Sequence, residues 1–285
     1  MLSRGLILLA LPVLLGTLLL TGLPLLATIG LSLFRVDALQ PAQYVGLEHF
    51  RALLHDPLFL QALRNSALLL MMALPLRLGL SLLLSLLLAG SSRLSHIGLG
   101  LSLAPLVLPT LVWSIAWLWL LNPYAGPAAS LLEAFHPQGA DWILSPHGAR
   151  TAIVLVISLI VGEMVLVLRA VRRMIPAHYY QTAAVEGAST WFAFRHITWP
   201  QLRPIIALLS LRDLSLSLQW TLVPALIVTK TGPLHATLYL PYYGYQNAFE
   251  YLRFGYAAAI ALPMVLLVIA ALALQGWLLW RWRQH

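Results

Sequence analysis

The sequence predicts an all-α, polytopic membrane protein with six transmembrane helices, and three observations lead there. The 285 residues are 60% hydrophobic and only 9% charged, too little charge to cover the surface of a soluble domain of that size. The mean hydropathy is +0.85. Six apolar runs, at about 5–34, 65–90, 97–121, 150–172, 204–228 and 255–280, are long enough for the roughly 20 residues that cross a bilayer core. Residues 1–285 therefore read as a single transmembrane domain.

The first run is too long for a signal-peptide core and no clear cleavage site follows it, so it is expected to be a membrane helix. Pro12 and Pro24 are expected to bend it, as neighbouring helices can satisfy the freed backbone groups. Trp113, Trp117 and Trp119 crowd the third run, and at least two of them read as residues of an interfacial belt. Trp277, Trp280 and Trp282 with Arg281 and Arg283 read as an anchor at the end of the sixth. An even number of spans puts both ends on one side. If that side is cytoplasmic it holds Arg4, Arg93, Arg169, Arg172, Arg173, Arg195, Arg203, Arg281 and Arg283, against Arg35, Arg51, Arg64, Arg150, Lys230 and Arg253 opposite. Nine against six favours cytoplasmic N and C termini, and places the polar loop 175–204 in the cytoplasm.

That loop reads IPAHYYQTAAVEGASTWFAFRHITWPQLRP. Pro176 suits the first turn of a helix, where its missing N–H is not needed. A short helix can run through Tyr180 to about Glu186, and Gly187 permits the backbone that ends it. Ser189 can cap a second short helix. Pro200 and Pro204 are expected to stop that helix and restart the next span. The order of Ile175, Pro176, Tyr180, Ala183, Gly187, Ala188, Ser189, Phe194, Ile197, Pro200 and Pro204 resembles the EAA loop of ABC-importer permeases. Gln181 stands where that family usually has Glu, and Glu186 where it usually has Asp. Two further segments resemble the carbohydrate branch of the family (maltose-type, MalF/UgpA-like). The first is 44–65, with Gly46, Phe50, Asp56, Pro57 and Asn65. The second is 247–261, NAFEYLRFGYAAAIA. TKTGP at 229–233 resembles a Thr-Gly-Gly-Gly-Pro turn, with Lys230 and Thr231 where glycine is common, a change expected to stiffen it.

The resemblance implies an ABC type I importer permease fold and a subunit that moves a sugar or oligosaccharide. It implies partners as well: two ATP-binding subunits, as a homodimer, a second homologous permease subunit, and an extracytoplasmic solute-binding protein that meets 35–64, 122–149 and 229–253. Coupling to the ATPase would fall to Tyr180, Gln181, Ala183, Glu186, Gly187, Ala188, Phe194 and Pro200.

Four ionisable residues lie inside the runs: Arg77, Glu163, Arg212 and Asp213. Charges at that depth must face a cavity, the bundle interior or one another. Depth along the helices allows an Arg77–Glu163 pair. Arg212 and Asp213 are adjacent, so they cannot face each other and need separate partners. By its distance from Ile175-Pro176, Glu163 falls where maltose-type permeases place a substrate-contacting aromatic residue. A carboxylate there can accept sugar hydroxyls or simply hold two helices together. In the fifth run the resemblance places substrate contacts at Ser217, Leu218 and Thr221. Trp220 could stack on a sugar ring, while for any one of Ser215, Ser217 and Thr221 helix packing and local backbone bonding are favoured over a substrate contact.

Other chemistry finds no support. With no cysteine, disulfides, thiol catalysis and cysteine-held metal are excluded. The net charge of +8 is scattered along membrane edges rather than gathered into a nucleic-acid-binding patch. No catalytic or Gly-x-x-x-x-Gly-Lys phosphate-binding motif occurs, so ATP hydrolysis is expected in a separate subunit. The nine histidines lack ligand spacing; His178 and His196 suit solvent or the ATPase better than a metal. Neither metal nor cofactor is expected. Import of another polar solute, such as a glycerol-phosphate diester, remains an alternative, as does a motor-independent facilitator or membrane scaffold.

Overall fold

The computed structural model describes residues 4–37, 41–90, 92–133 and 139–283. Parts of two segments expected to meet a binding protein, 38–40 and 134–138, lie outside the described residues, as do the side chains of Arg4, Trp282 and Arg283. The described chain is nearly all helix. It runs α1 (Arg4–Thr17), a π-turn (Leu18–Gly22), α2 (Leu23–Ser32), β1 (Phe34–Arg35), β2 (Gln43–Tyr44), α3 (Glu48–His55) and α4 (Pro57–Leu87). Next come α5 (Arg93–Val107), α6 (Thr110–Leu120), α7 (Pro127–Glu133), α8 (Pro146–Ser158), α9 (Gly162–Arg173), α10 (Ala177–Val185), α11 (Thr190–Ala193) and α12 (Trp199–Ser217). The chain closes with α13 (Leu222–Pro224), α14 (Leu240–Tyr245) and α15 (Phe254–Arg283).

Three helical stretches, Leu11–Ser32, Pro57–Leu87 and Phe254–Trp277, are long and apolar enough to cross a membrane. Three bent pairs are apolar enough together: α5 with α6 at 109°, α8 with α9 at 47°, and Thr190–Ser217 with Gln219–Thr229 at 51°. The third, fourth and fifth apolar runs are therefore interrupted, where the sequence suggests continuous helices. At the sharpest bend the cause is local. Pro109 has no N–H to continue α5, and it holds Leu108 extended, at ψ 134°, as a residue before proline prefers. The other two bends carry no proline at the break.

The chain divides into two compact units. In the first, residues 1–62 and 240–267, β1 and β2 pair antiparallel with Phe34 opposite Tyr44. Asp56 caps α4. Its Oδ1 accepts the N–H groups of Leu58 (2.9 Å) and Phe59 (3.3 Å), and its Oδ2 accepts the hydroxyls of Tyr243 and, at 2.7 Å, Tyr256. Burial pushes this carboxyl up, but the four hydrogen bonds outweigh burial and hold it below its ordinary value.

The second unit comprises residues 63–239 and 268–285. Met164 and Leu168 of α9 pack against Leu202 and Leu209 of α12, with Leu78 and Leu82 of α4 alongside. In lipid such contacts act by close packing rather than by the hydrophobic effect. Gly162 shows how close: a Cβ there would lie 2.2 Å from the Ser102 carbonyl of α5. Trp113 donates its indole N–H to the Val156 carbonyl at 2.9 Å, tying α6 to α8, while Trp119 is exposed. In the turn after the fifth run, Lys230 and Thr231 take positive φ, 45° and 76°, the backbone that glycine adopts without strain. The turn is held by a 2.7 Å Thr229–Thr237 hydroxyl bond. Asn65 donates to the His235 and Leu238 carbonyls, and Arg150 to that of Ala236.

Candidate functional site

Four charges gather where the spans are interrupted. Arg77 of α4 is 1% exposed. Its Nη2 donates to the Ile160 carbonyl at 2.9 Å, inside the break between α8 and α9. The same nitrogen lies 3.0 Å from Asp213 Oδ1 on α12, and the guanidinium sits 4.3 Å above the Trp220 ring, in the turn that breaks the fifth run. A helix break in lipid exposes carbonyls that nothing solvates; here a buried arginine supplies the missing donor. Beside this pair, Arg212 Nη2 donates to Glu163 Oε2 at 2.7 Å, with both side chains 40% or more exposed. The depth-matched pairing of Arg77 with Glu163 is thus corrected: Arg77 pairs with Asp213, and Glu163 with Arg212. Depth along a helix fixes height but not the direction a side chain points. Adjacent Arg212 and Asp213 diverge, as neighbours on a helix must.

The remaining fifth-run candidates lie mostly inside the chain. Ser217, Leu218 and Thr221 are at most 2% exposed. The Ser217 hydroxyl donates to the Asp213 carbonyl (2.7 Å) and that of Thr221 to the Leu218 carbonyl (2.6 Å). Trp220 is half-buried, with Arg77 over one face. Of the named residues, Glu163 and Trp220 offer surface, together with Arg212 and exposed Gln219.

The loop 175–204 folds by local rules. Pro176 precedes α10, and Glu186 is its C-cap. The N–H of Ala188 reaches the Ala183 carbonyl at 2.9 Å, and that of Gly187 the Ala184 carbonyl at 3.1 Å. This Schellman closure needs a left-handed residue at 187, and Gly187 has φ 76°. Ser189 accepts the Phe192 N–H at 3.2 Å and so caps α11. Pro200 and Pro204 do not stop this second helix, contrary to expectation. Helix continues from Thr190 to Ser217 through a π-turn at Phe194–Thr198, where the Trp199 N–H bonds the Phe194 carbonyl. The wider turn carries the chain past the missing Pro200 donor.

Tyr180 turns inward, its hydroxyl 2.9 Å from that of buried Thr198. Gln181, Glu186, Gly187 and Pro200 are exposed, while Ala183, Ala188 and Phe194 are partly covered. Open clefts of about 530 and 610 Å³ flank α10, the first bordered by Tyr179 and His196 and the second by Tyr180, Trp191 and Phe194. Arg169 and Arg172 donate to the Gly90 and Leu86 carbonyls, each at 3.0 Å, so α9 is clamped to the C-terminal end of α4, where cations suit the helix dipole. The sequence suggests only a topological role for these arginines. Gly162 and the Arg77–Ile160 bond are also missed by sequence reasoning; a small residue inside an apolar run was the available signal for the first. No group of metal-ligating side chains occurs among the described residues.

The family model described as "Binding-protein-dependent transport system inner membrane component" matches residues 81–284. The chain is 32% identical over 251 residues to the probable ABC transporter permease protein PH1215 of Pyrococcus horikoshii, covering 84% of this chain and 82% of that one. It is 30% identical over 238 residues to the sulfoquinovosyl glycerol transport system permease protein SmoG of Agrobacterium fabrum, covering 82% and 76%. Its fold matches a chain in the crystal structure of a bacterial ABC transporter involved in import of the acidic polysaccharide alginate, with TM-score 0.80, 20% identity, and 97% and 95% of the two chains covered. The fold is that of a type I importer permease, and this chain belongs to the inner membrane components of binding-protein-dependent transport systems.

Proposed function

We propose that this chain is one of two permease subunits of an ATP-driven importer that carries a sugar or oligosaccharide across the cytoplasmic membrane by alternating access. As a single membrane domain it crosses six times, each bent pair serving as one span, with both ends cytoplasmic. A homodimer of ATP-binding subunits grips the 175–204 segment through Gln181, Glu186 and the exposed face of α10. Tyr180, Ala183, Gly187, Ala188, Phe194 and Pro200 give that segment its shape. A solute-binding protein delivers the cargo to the outer segments.

The observation that carries the solute class is the half-exposed Glu163–Arg212 pair. Together the two groups offer strong acceptors and strong donors with no net charge, and a sugar hydroxyl is both donor and acceptor. Glu163 and Trp220 make the first contacts in this reading, with Ser217, Leu218 and Thr221 packed behind them. The name of SmoG supports a glycosylated solute. The neutralised arginine argues against the glycerol-phosphate diester alternative.

The test is affinity purification from the native membrane, followed by ATP-dependent uptake in vesicles. The expected result is co-purification of an ATP-binding subunit and a second six-span protein. The complex should take up an oligosaccharide, and Glu163→Ala should raise the KM for it. Recovery of this chain alone would favour a facilitator or scaffold. Uptake of a phosphodiester but of no saccharide would overturn the solute class.

A further inference from the structure

We propose that Arg77 is a positioning residue that pins the far ends of both helices leaving the 175–204 segment, so that movement of that segment is delivered at Glu163 and Arg212. This rests on the coupling part of the function proposed above and is independent of the solute.

Two helical arms leave the segment. One is α9, read backwards from Arg173 to Gly162; the other runs forward from Thr190 to Ser217. At about 1.5 Å per residue α9 reaches roughly 18 Å from the segment and the second arm roughly 20 Å beyond Pro204. Each ends in a break, and Arg77 holds both breaks. It takes the Ile160 carbonyl in the first, and in the second it meets Asp213 and lies over Trp220. The exposed pair sits directly beside these pinned points: Glu163 is three residues past Ile160, and Arg212 is next to Asp213. Arg169 and Arg172 fasten the segment end of α9 to α4 as well, so α4 and α9 form one unit, and the second arm meets that unit at Arg77.

Displacement of the segment is carried along the second arm and turns it against α9 at this joint, which shifts Arg212 relative to Glu163. Simple stabilisation is a poor reason for this pair, since apolar side chains of similar size would serve as well or better. The arginine is not fully satisfied either: its Nε and Nη1 have no hydrogen-bond partner among the described residues. A joint that exchanges partners as it turns leaves such donors free.

The chain has no cysteine, so Gln219→Cys, at an exposed position beside Trp220, supplies a single reporter thiol. In the complete transporter in lipid, its maleimide labelling is compared without nucleotide and with ATP plus vanadate. With Arg77 intact the two rates should differ at least about fivefold, the scale of ordinary coupling between sites. Arg77→Met combined with Asp213→Leu removes both charges and orphans neither; there the two rates should become equal. A nucleotide response that survives in this double variant overturns the pin. If the double variant does not assemble, Arg77→Lys decides. Lysine keeps the charge but lacks the planar fork, so the response should shrink, and an undiminished response overturns the pin. No response with Arg77 intact sinks the coupling reading itself, and the pin with it.

Discussion

The 175–204 segment and the buried charge cluster both interrupt helices, and they hold their interruptions by opposite means. The turn at Gly187 is closed by carbonyls and N–H groups within six residues of one another, and Ser189 caps its own helix. The break at Ile160 is closed by Arg77, 83 residues away. The first device is exposed and self-contained, so it can move as one piece without unfastening anything. The second joins three helices, so whatever moves one of them is felt by the others. In the function proposed above, the part that is pushed and the part that responds are built from different kinds of bond.

Removing one member of the buried pair attacks the long-range device most directly. Asp213→Ala leaves Arg77 charged, buried and unpaired, which should cost about 3–5 kcal/mol and appear as a large fall in the melting temperature of the purified protein. A negligible fall would mean that the cluster tolerates breakage as a local motif does. Gly187→Val tests the other side. It forces a β-branched residue to φ 76°, at about 1–2 kcal/mol, confined to one turn. The melting temperature should drop modestly while uptake falls steeply and ATP hydrolysis continues. Normal uptake in an assembled Gly187→Val complex would show that the shape of α10 does not matter for coupling.

Asp56 lies between the two extremes, capping α4 locally while accepting the hydroxyls of Tyr243 and Tyr256 from the far end of the sequence. Its folded carboxyl holds a proton less tightly than the unfolded one. The stabilisation is therefore complete above the ordinary carboxylate value of 3.8 and fades as pH falls below it. The expected loss is the smallest of the three, on the scale of one helix cap, about 1 kcal/mol. Acid titration of stability, compared with Asp56→Asn, measures it; identical acid limbs would remove Asp56 from this role.

The same contrast explains what could be read from the sequence. Pro176, Gly187 and Ser189 act through neighbours, so their order alone gives α10, its stop and the start of the next helix. Glu163 is recognisable as unusual for its depth, but its partner is not. Choosing between Arg77 and Arg212 requires the direction in which each helix presents its side chains, and that depends on breaks with no proline to mark them. Pro200 and Pro204 mislead for a related reason: a π-turn carries the helix across a signal that normally ends one. Gly46, Asp56 and Asn65 stand out in the sequence only as parts of a pattern. In the folded chain Gly46 supplies a positive φ of 58°, Asp56 caps a helix, and Asn65 braces a strained turn.

The π-turn at Phe194–Thr198 also sets the phase of everything after it. An α-helix turns by about 100° per residue, and a π-turn absorbs one extra residue. Arg212 and Asp213 are one residue apart, so the same step separates a carboxylate facing Arg77 from a second guanidinium facing it. Closing the π-turn into an ordinary α-turn with the sequence unchanged would add one residue to the regular helix and present Arg212, in place of Asp213, to Arg77. Opposite charges would then give way to like ones at this buried site. One surplus residue inside the 175–204 segment thus decides, roughly four helical turns further on, which charge is hidden and which is exposed.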